Sequence, residues 1–120
     1  MDFPRVALSI RQPWANRILV GGKDIENRTW RTSFRGPVLI HAAQAIDPFA
    51  GEDAALGMRR GGIVGVMEIV DCVTQSASPW FGGPYGFVLC NPRPLRFAPC
   101  RGKLGFFTPA IDFTTLEFLP

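Results

Sequence analysis

The 120-residue sequence has one histidine, His41, and three cysteines, Cys72, Cys90 and Cys100, none of them paired as CxxC. A histidine-rich metal centre is thereby excluded, and the thiols form neither a zinc-ligand pattern nor a disulfide framework. No metal and no cofactor is expected. Cys72 and Cys90 stand in apolar, strand-like runs, where a thiol packs as a small hydrophobe. His41 follows Val38-Leu39-Ile40 and is expected to pack at a strand end rather than act as a base. Long apolar runs are also missing. Nothing approaches the roughly 18 consecutive apolar residues of a membrane span, so no membrane association is expected. Met1-Asp2-Phe3-Pro4-Arg5 lacks the basic start and apolar run of a secretory signal, which predicts a cytoplasmic location. Room for long helices is scarce too, because eleven prolines and thirteen glycines punctuate the chain.

What is present fits one globular domain over residues 1–120. The hydrophobic fraction is 47% and the charged fraction 19%, both ordinary for a chain that buries a single core. The net charge of +3 is unevenly spread. Between Arg5 and Arg35 seven basic side chains face only Asp24 and Glu26, a net of +5, which leaves −2 for the remainder. A basic segment of this kind suits an anionic partner.

The pattern predicts a mainly β protein with short helices (α+β). Val6–Ile10 reads as a first strand, and Pro13 opens a helix over Trp14–Val20 that Gly21-Gly22 ends. Asp24–Trp30 and Val38–Ala42 read as further strands, while 43–60 leaves room for one short helix. Ile63–Val73, β-branched and apolar nearly throughout, is expected at the centre of the sheet. Phe87–Cys90 is another strand. Pro92 and Pro94 confine the next stretch to an edge or an irregular strand, Leu104–Phe107 is a short last strand, and the apolar tail from Ala110 is expected to dock. Short strands in this number suggest a small closed barrel, since closure removes sheet edges.

Three clusters carry chemistry. Ser9-Ile10-Arg11-Gln12-Pro13-Trp14 sits at a strand-to-helix junction, and the Gln12 amide can both donate to and accept from a base edge. Equally, Ser9 can cap the helix and Trp14 can belong to the core. On an extended strand Glu26, Arg28 and Trp30 share a face, which is poor core composition but good pocket composition, with Trp30 as a stacking surface. A surface Glu26–Arg28 pair is the plainer alternative. Arg31 and Arg35, in the loop before Gly36-Pro37, can contact phosphate oxygens.

The order LSIRQPWA from Leu8, then Gly22-Lys23, Glu26-Asn27-Arg28-Thr29-Trp30, Thr32, Arg35-Gly36 and Ile40-His41-Ala42 closely resembles the ASCH domain family. Gly65-Val66, Trp80 with Gly83-Pro84, and Gly102 to Phe107 resemble its bacterial stand-alone members. The resemblance implies a PUA-like small β-barrel flanked by helices, with a cleft between barrel and first helix for RNA or a nucleobase. It places Gln12, Trp14, Lys23, Glu26, Arg28, Trp30 and Arg35 in or beside that cleft, and Arg11, next to Gln12 in the first cluster, is expected to bind the ligand with them. Some bacterial relatives remove an acyl group from a modified cytidine and others cut RNA. The former match this chain at Lys23 but carry a threonine nucleophile where this sequence has Glu26.

Three readings are open on this basis. The first is a nucleic-acid-binding module for RNA or a modified nucleoside. The second is a small hydrolase acting on an acylated cytidine or on RNA, with Lys23 and Glu26 as the acid–base pair and Arg28 steadying an oxyanion. The third is a protein-interaction domain using Trp80-Phe81, a loop that serves equally well as a flap over the cleft. Oligomeric state is left open.

Overall fold

The computed structural model describes residues 2–120. Six strands and one α-helix alternate with short turns: β1 (Ala7–Gln12), α1 (Trp14–Val20), β2 (Ile25–Arg28), β3 (Gly36–Ile46), β4 (Gly62–Val73), β5 (Tyr85–Pro99) and β6 (Phe106–Phe107). Single 3-10 turns lie at Glu52–Ala55 and Phe113–Thr115. No helix among the described residues is long and apolar enough to cross a membrane.

The strands form one mixed sheet in the order β2-β5-β4-β3-β1-β6, curled into a half-barrel. The mainly β architecture expected from the sequence is therefore the observed one, and β4 is indeed interior. β1 and β3 run parallel, and every other pairing is antiparallel. The parallel pair is apolar on both faces because both are covered. Leu8, Ile10, Val38 and Ile40 join Met67, Ile69 and Phe87 inside the curl, whereas Ala7 and Leu39 face outward with Ile63, Leu95 and Leu116. Leu116 belongs to the tail, which docks as the sequence suggests.

Two differences from the expected strands have physical causes. β5 continues through Pro92 and Pro94 to Pro99, pairing with β4 through register shifts, with Asn91 at φ 51°. β2 pairs only with Tyr85–Val88, so beyond that point the proline-bearing side of β5 is an edge and needs no ladder donors from Pro92 or Pro94. The tail covers that edge: the Arg96 N–H donates to the Glu117 carbonyl at 2.9 Å and the Leu119 N–H to the Pro94 carbonyl at 3.2 Å. Trp30 lies beyond the end of β2 and packs edge-on against Phe87 and Phe106, at centroid distances of 5.2 and 5.7 Å.

Helix α1 lies against the sheet through Ala15, Ile18 and Leu19, spaced as one face. Burying Ile18 contributes about 1.5–3 kcal/mol. Close approach depends on Gly65: a Cβ there would stand 2.4 Å from Leu19 Cδ2 and 2.9 Å from the Arg93 carbonyl oxygen. The Leu19 side chain can turn aside, but the backbone oxygen cannot. Gly65→Ala is expected to destabilise the fold by about 1–3 kcal/mol. Urea unfolding would read this as a lower midpoint at unchanged slope, and an unchanged midpoint would show that α1 sits more loosely on the sheet than these distances require.

Candidate functional site

Between α1, the exposed end of β1 and the segment after β5 lies a cleft of about 1300 Å³. One wall is β2. Lys23 enters it from the turn after α1, where Gly22 adopts φ 74°, and Lys23 is held by its N–H donating to the Arg17 carbonyl at 3.1 Å. Its ammonium donates to the Ile25 carbonyl and lies 3.4 Å from Glu26 Oε1. Glu26 Oε2 accepts from Arg28 Nε at 3.1 Å and faces Nη2 at 3.0 Å. Arg28 Nη2 in turn donates to the Ser9 carbonyl on β1 at 2.8 Å. Lys23 and Glu26 side chains are only 6% and 10% exposed, so this is a buried charge chain rather than a surface pair. Burial lowers the Lys23 pKa from its ordinary value, and the adjacent carboxylate of Glu26 opposes that shift only in part.

The opposite wall carries Trp14 and Asp47. Trp14 Nε1 donates to Asp47 Oδ2 at 2.5 Å, and Asp47 Oδ1 accepts from the Phe49 N–H at 2.8 Å. These bonds, the indole's first, hold the Asp47 carboxyl below its ordinary pKa of 3.8. A loop over residues 78–83 forms the third side. Asn27 Nδ2 donates to the Trp80 carbonyl at 3.0 Å, and Asn27 Oδ1 accepts from the N–H groups of Gly82 and Gly83 at 2.8 and 3.0 Å. Ser78 Oγ donates to Asp24 Oδ1 at 2.6 Å. Trp80 thus stands in the cleft wall on a loop anchored to β2.

Of the residues singled out in the sequence, Arg11, Trp14, Lys23, Glu26 and Arg28 line this cleft together. Three do not. Gln12 is buried and bonded at both ends of its amide: Nε2 donates to the Arg59 carbonyl and Oε1 accepts from the Asn16 N–H, both at 2.9 Å, so it secures the start of α1. Trp30 packs in the aromatic cluster described above. Arg35 donates to the Thr32 and Phe34 carbonyls and borders a separate, smaller hollow with Arg31 and Tyr85.

The cleft also holds residues that local reading did not nominate. Asp47 has no sequence signal, because its partner Trp14 is 33 positions away. Arg101 and Lys103 on the segment after β5 had one, a pair of cations flanking glycine, yet nothing local ties them to the N-terminal third. His41 is 2% exposed, with Nδ1 2.9 Å from Ser9 Oγ and Nε2 2.9 Å from the Cys100 carbonyl. Among the described residues no group of three or more His, Cys, Asp or Glu side chains could hold a metal ion.

The Asp47 shift has a definite sign. A carboxylate whose folded pKa lies below its unfolded value stabilises the fold above the unfolded value and loses that effect as pH falls through the folded one. The stability gap between wild type and Asp47→Asn, from urea unfolding at a series of acidic pH values, is therefore expected to be constant well above 3.8, to shrink as pH falls below 3.8, and to be gone only below the lower folded value. A gap already absent at neutral pH would deny the contact.

Comparison with known proteins bears on what such a cleft belongs to. Human activating signal cointegrator 1 (Homo sapiens) is 29% identical over 112 residues, an alignment covering 73% of this chain. The chain spans only 19% of that protein's length. The family model for the ASCH domain matches residues 8–82, which include β1 from Leu8, the buried charge chain of β2, Asp47 and all but the last residue of the Trp80 loop. That span is well over half of the sequence and contains three sides of the cleft, so the chain belongs to the ASCH domain family.

Proposed function

We propose that the cleft binds single-stranded RNA, with an unpaired base between the indoles of Trp14 and Trp80 and the flanking phosphates on the cationic rim. The observation that carries this reading is which polar groups remain free. Gln12, Glu26, Arg28 and Asn27 spend their side chains on the protein itself. Arg11, Arg101 and Lys103 are exposed in the lining, and among the described residues none of them is held by a hydrogen bond or ion pair. Apart from the Gln44 amide, these free groups are cations and indole faces, which suit phosphates and base faces better than a base edge. Its volume, about 1300 Å³, exceeds the roughly 300–1,000 Å³ of drug-sized pockets and leaves room for more than one nucleoside. The ASCH family, PUA-like in fold and often linked to RNA, agrees with this reading.

Binding of short fluorescent single-stranded RNAs tests it. Trp14→Phe is preferred to a smaller residue because the indole also packs on the core. Trp80→Ala is expected to weaken binding by about 5- to 150-fold, the 1–3 kcal/mol of one stacked base. Arg101→Ala and Lys103→Ala should each flatten the dependence of log affinity on log salt by about 0.7, the single-strand value per phosphate contact. Affinity that is indifferent to salt and to Trp80 would refute the proposal.

A second reading, hydrolysis of an acylated cytidine or of RNA, is supported by one specific observation: burial makes the Lys23 amine easier to deprotonate, beside a carboxylate. If Lys23 and Glu26 act as an acid–base pair, acyl release followed by mass spectrometry should fall about 10²-fold or more in Lys23→Ala. Equal release in both proteins would leave Lys23 a structural charge.

A further inference from the structure

The bonds around His41 have a direction. A carbonyl oxygen only accepts, so Nε2, 2.9 Å from the Cys100 oxygen, carries a proton, and in the tautomer with that single proton the Nδ1 lone pair faces the Ser9 hydroxyl. The parallel register pairs Ser9 with His41 directly across β1 and β3, so both side chains leave the same face of the sheet, and that face opens on the cleft. Ser9 is half-buried in the cleft lining, while His41 lies beneath it, almost wholly out of solvent. Gly102 closes over the pair: a Cβ on it would stand 2.7 Å from His41 Cε1 and 3.0 Å from Ser9 Oγ. Arg28, bound to the Ser9 carbonyl, places a cation on the same backbone unit.

A hydroxyl bonded to an imidazole that is itself oriented by an acceptor is the arrangement of an activated nucleophile. We propose that Ser9, with His41 as its base, is a nucleophile that takes an acyl group from an ester or amide held in this cleft and passes it to water. The idea rests on the cleft being a ligand site but needs neither Lys23 nor Glu26 as acid or base. In the first step Ser9 Oγ bonds to the acyl carbon, its proton passes to His41 Nδ1 and on to the leaving alcohol or amine, and the acyl–leaving-group bond breaks. In the second, water gives a proton to Nδ1 and bonds to the acyl carbon. The Oγ–acyl bond then breaks, and Ser9 recovers its proton as the acid departs.

The third member is a neutral carbonyl rather than a carboxylate, so the imidazolium that forms is less stabilised than in a Ser-His-Asp triad. Turnover is therefore slow, and covalent capture is the sensitive readout. The protein would be treated with a serine-directed fluorophosphonate, whose phosphorus bonds to Oγ as fluoride leaves, and separately with p-nitrophenyl acetate, with intact mass and peptide mapping of each product. The expected result is one adduct on the Ser9 peptide, absent in Ser9→Ala and formed at least about 10²-fold more slowly in His41→Gln. Mapping on the wild-type chain keeps the test independent of whether His41→Gln folds. RNA binding measured on the same samples separates the two ideas. Binding without a Ser9 adduct, or an adduct only on Lys23 or a cysteine, overturns the nucleophile and leaves the RNA reading standing. A Ser9 adduct without RNA binding does the reverse.

Discussion

The structure turns on how one carboxylate is satisfied. Glu26 is buried in the wall of a cleft, and a buried charge persists only when its oxygens are taken up. One oxygen meets Lys23 and the other Arg28, whose Nη2 also reaches the Ser9 carbonyl. β2 is one edge of the sheet and β1 lies near the other, with β5, β4 and β3 between them. The chain from Glu26 to Ser9 therefore ties the two margins of the half-barrel across its open side, where no strand pairing does so. Losing Glu26 would strand Lys23 and Arg28 as uncompensated buried charge, a cost on the order of 3–5 kcal/mol. The same bonds leave the wall with a net positive charge, which links the integrity of the fold to the character of the site.

Much of the fold was legible because its signals are local. Pro13 and Gly21 bracket α1, the β-branched run at 63–73 is the interior β4, and the apolar tail docks. The long β5 was not legible, since prolines at 92 and 94 argue against a ladder unless one knows that side of the strand is an edge. Alternation along β2 correctly put Glu26 and Arg28 together, yet the chain leaves the strand after Arg28, and Trp30 turns to the aromatic cluster instead of the cleft.

The site divides along the same line. Residue types that are costly to bury, such as Lys23, Glu26 and Arg28, announce themselves by standing in a patterned segment. What a side chain is bonded to cannot be read that way. Gln12 has the groups to read a base edge, but its donor and acceptor meet partners 47 and 4 positions away. Asn27, unremarkable on β2, fixes the Trp80 loop by three bonds across more than fifty positions of sequence. His41 looked like packing from its apolar neighbours, and it is packed. Its two nitrogens nevertheless bridge β1 and the segment after β5, a relation set by the parallel register of β1 and β3.

The backbone bonds from the 116–119 segment to β5 bear on how the chain is made. Those residues lie downstream of the strand they cover, and Leu116 seals the outer apolar face at the same stroke. While synthesis proceeds from the N-terminus, β5 can pair with β4 before its second margin has a cover. During that interval the emerging sheet offers bare amide and carbonyl groups beside exposed Leu95 and Ile63, a template for pairing with a neighbouring nascent chain. Prolines at 92 and 94 stand on that strand, and their missing donors make it a poor template in the meantime. The same residues that obscured the strand in the sequence thus guard it before its cover arrives.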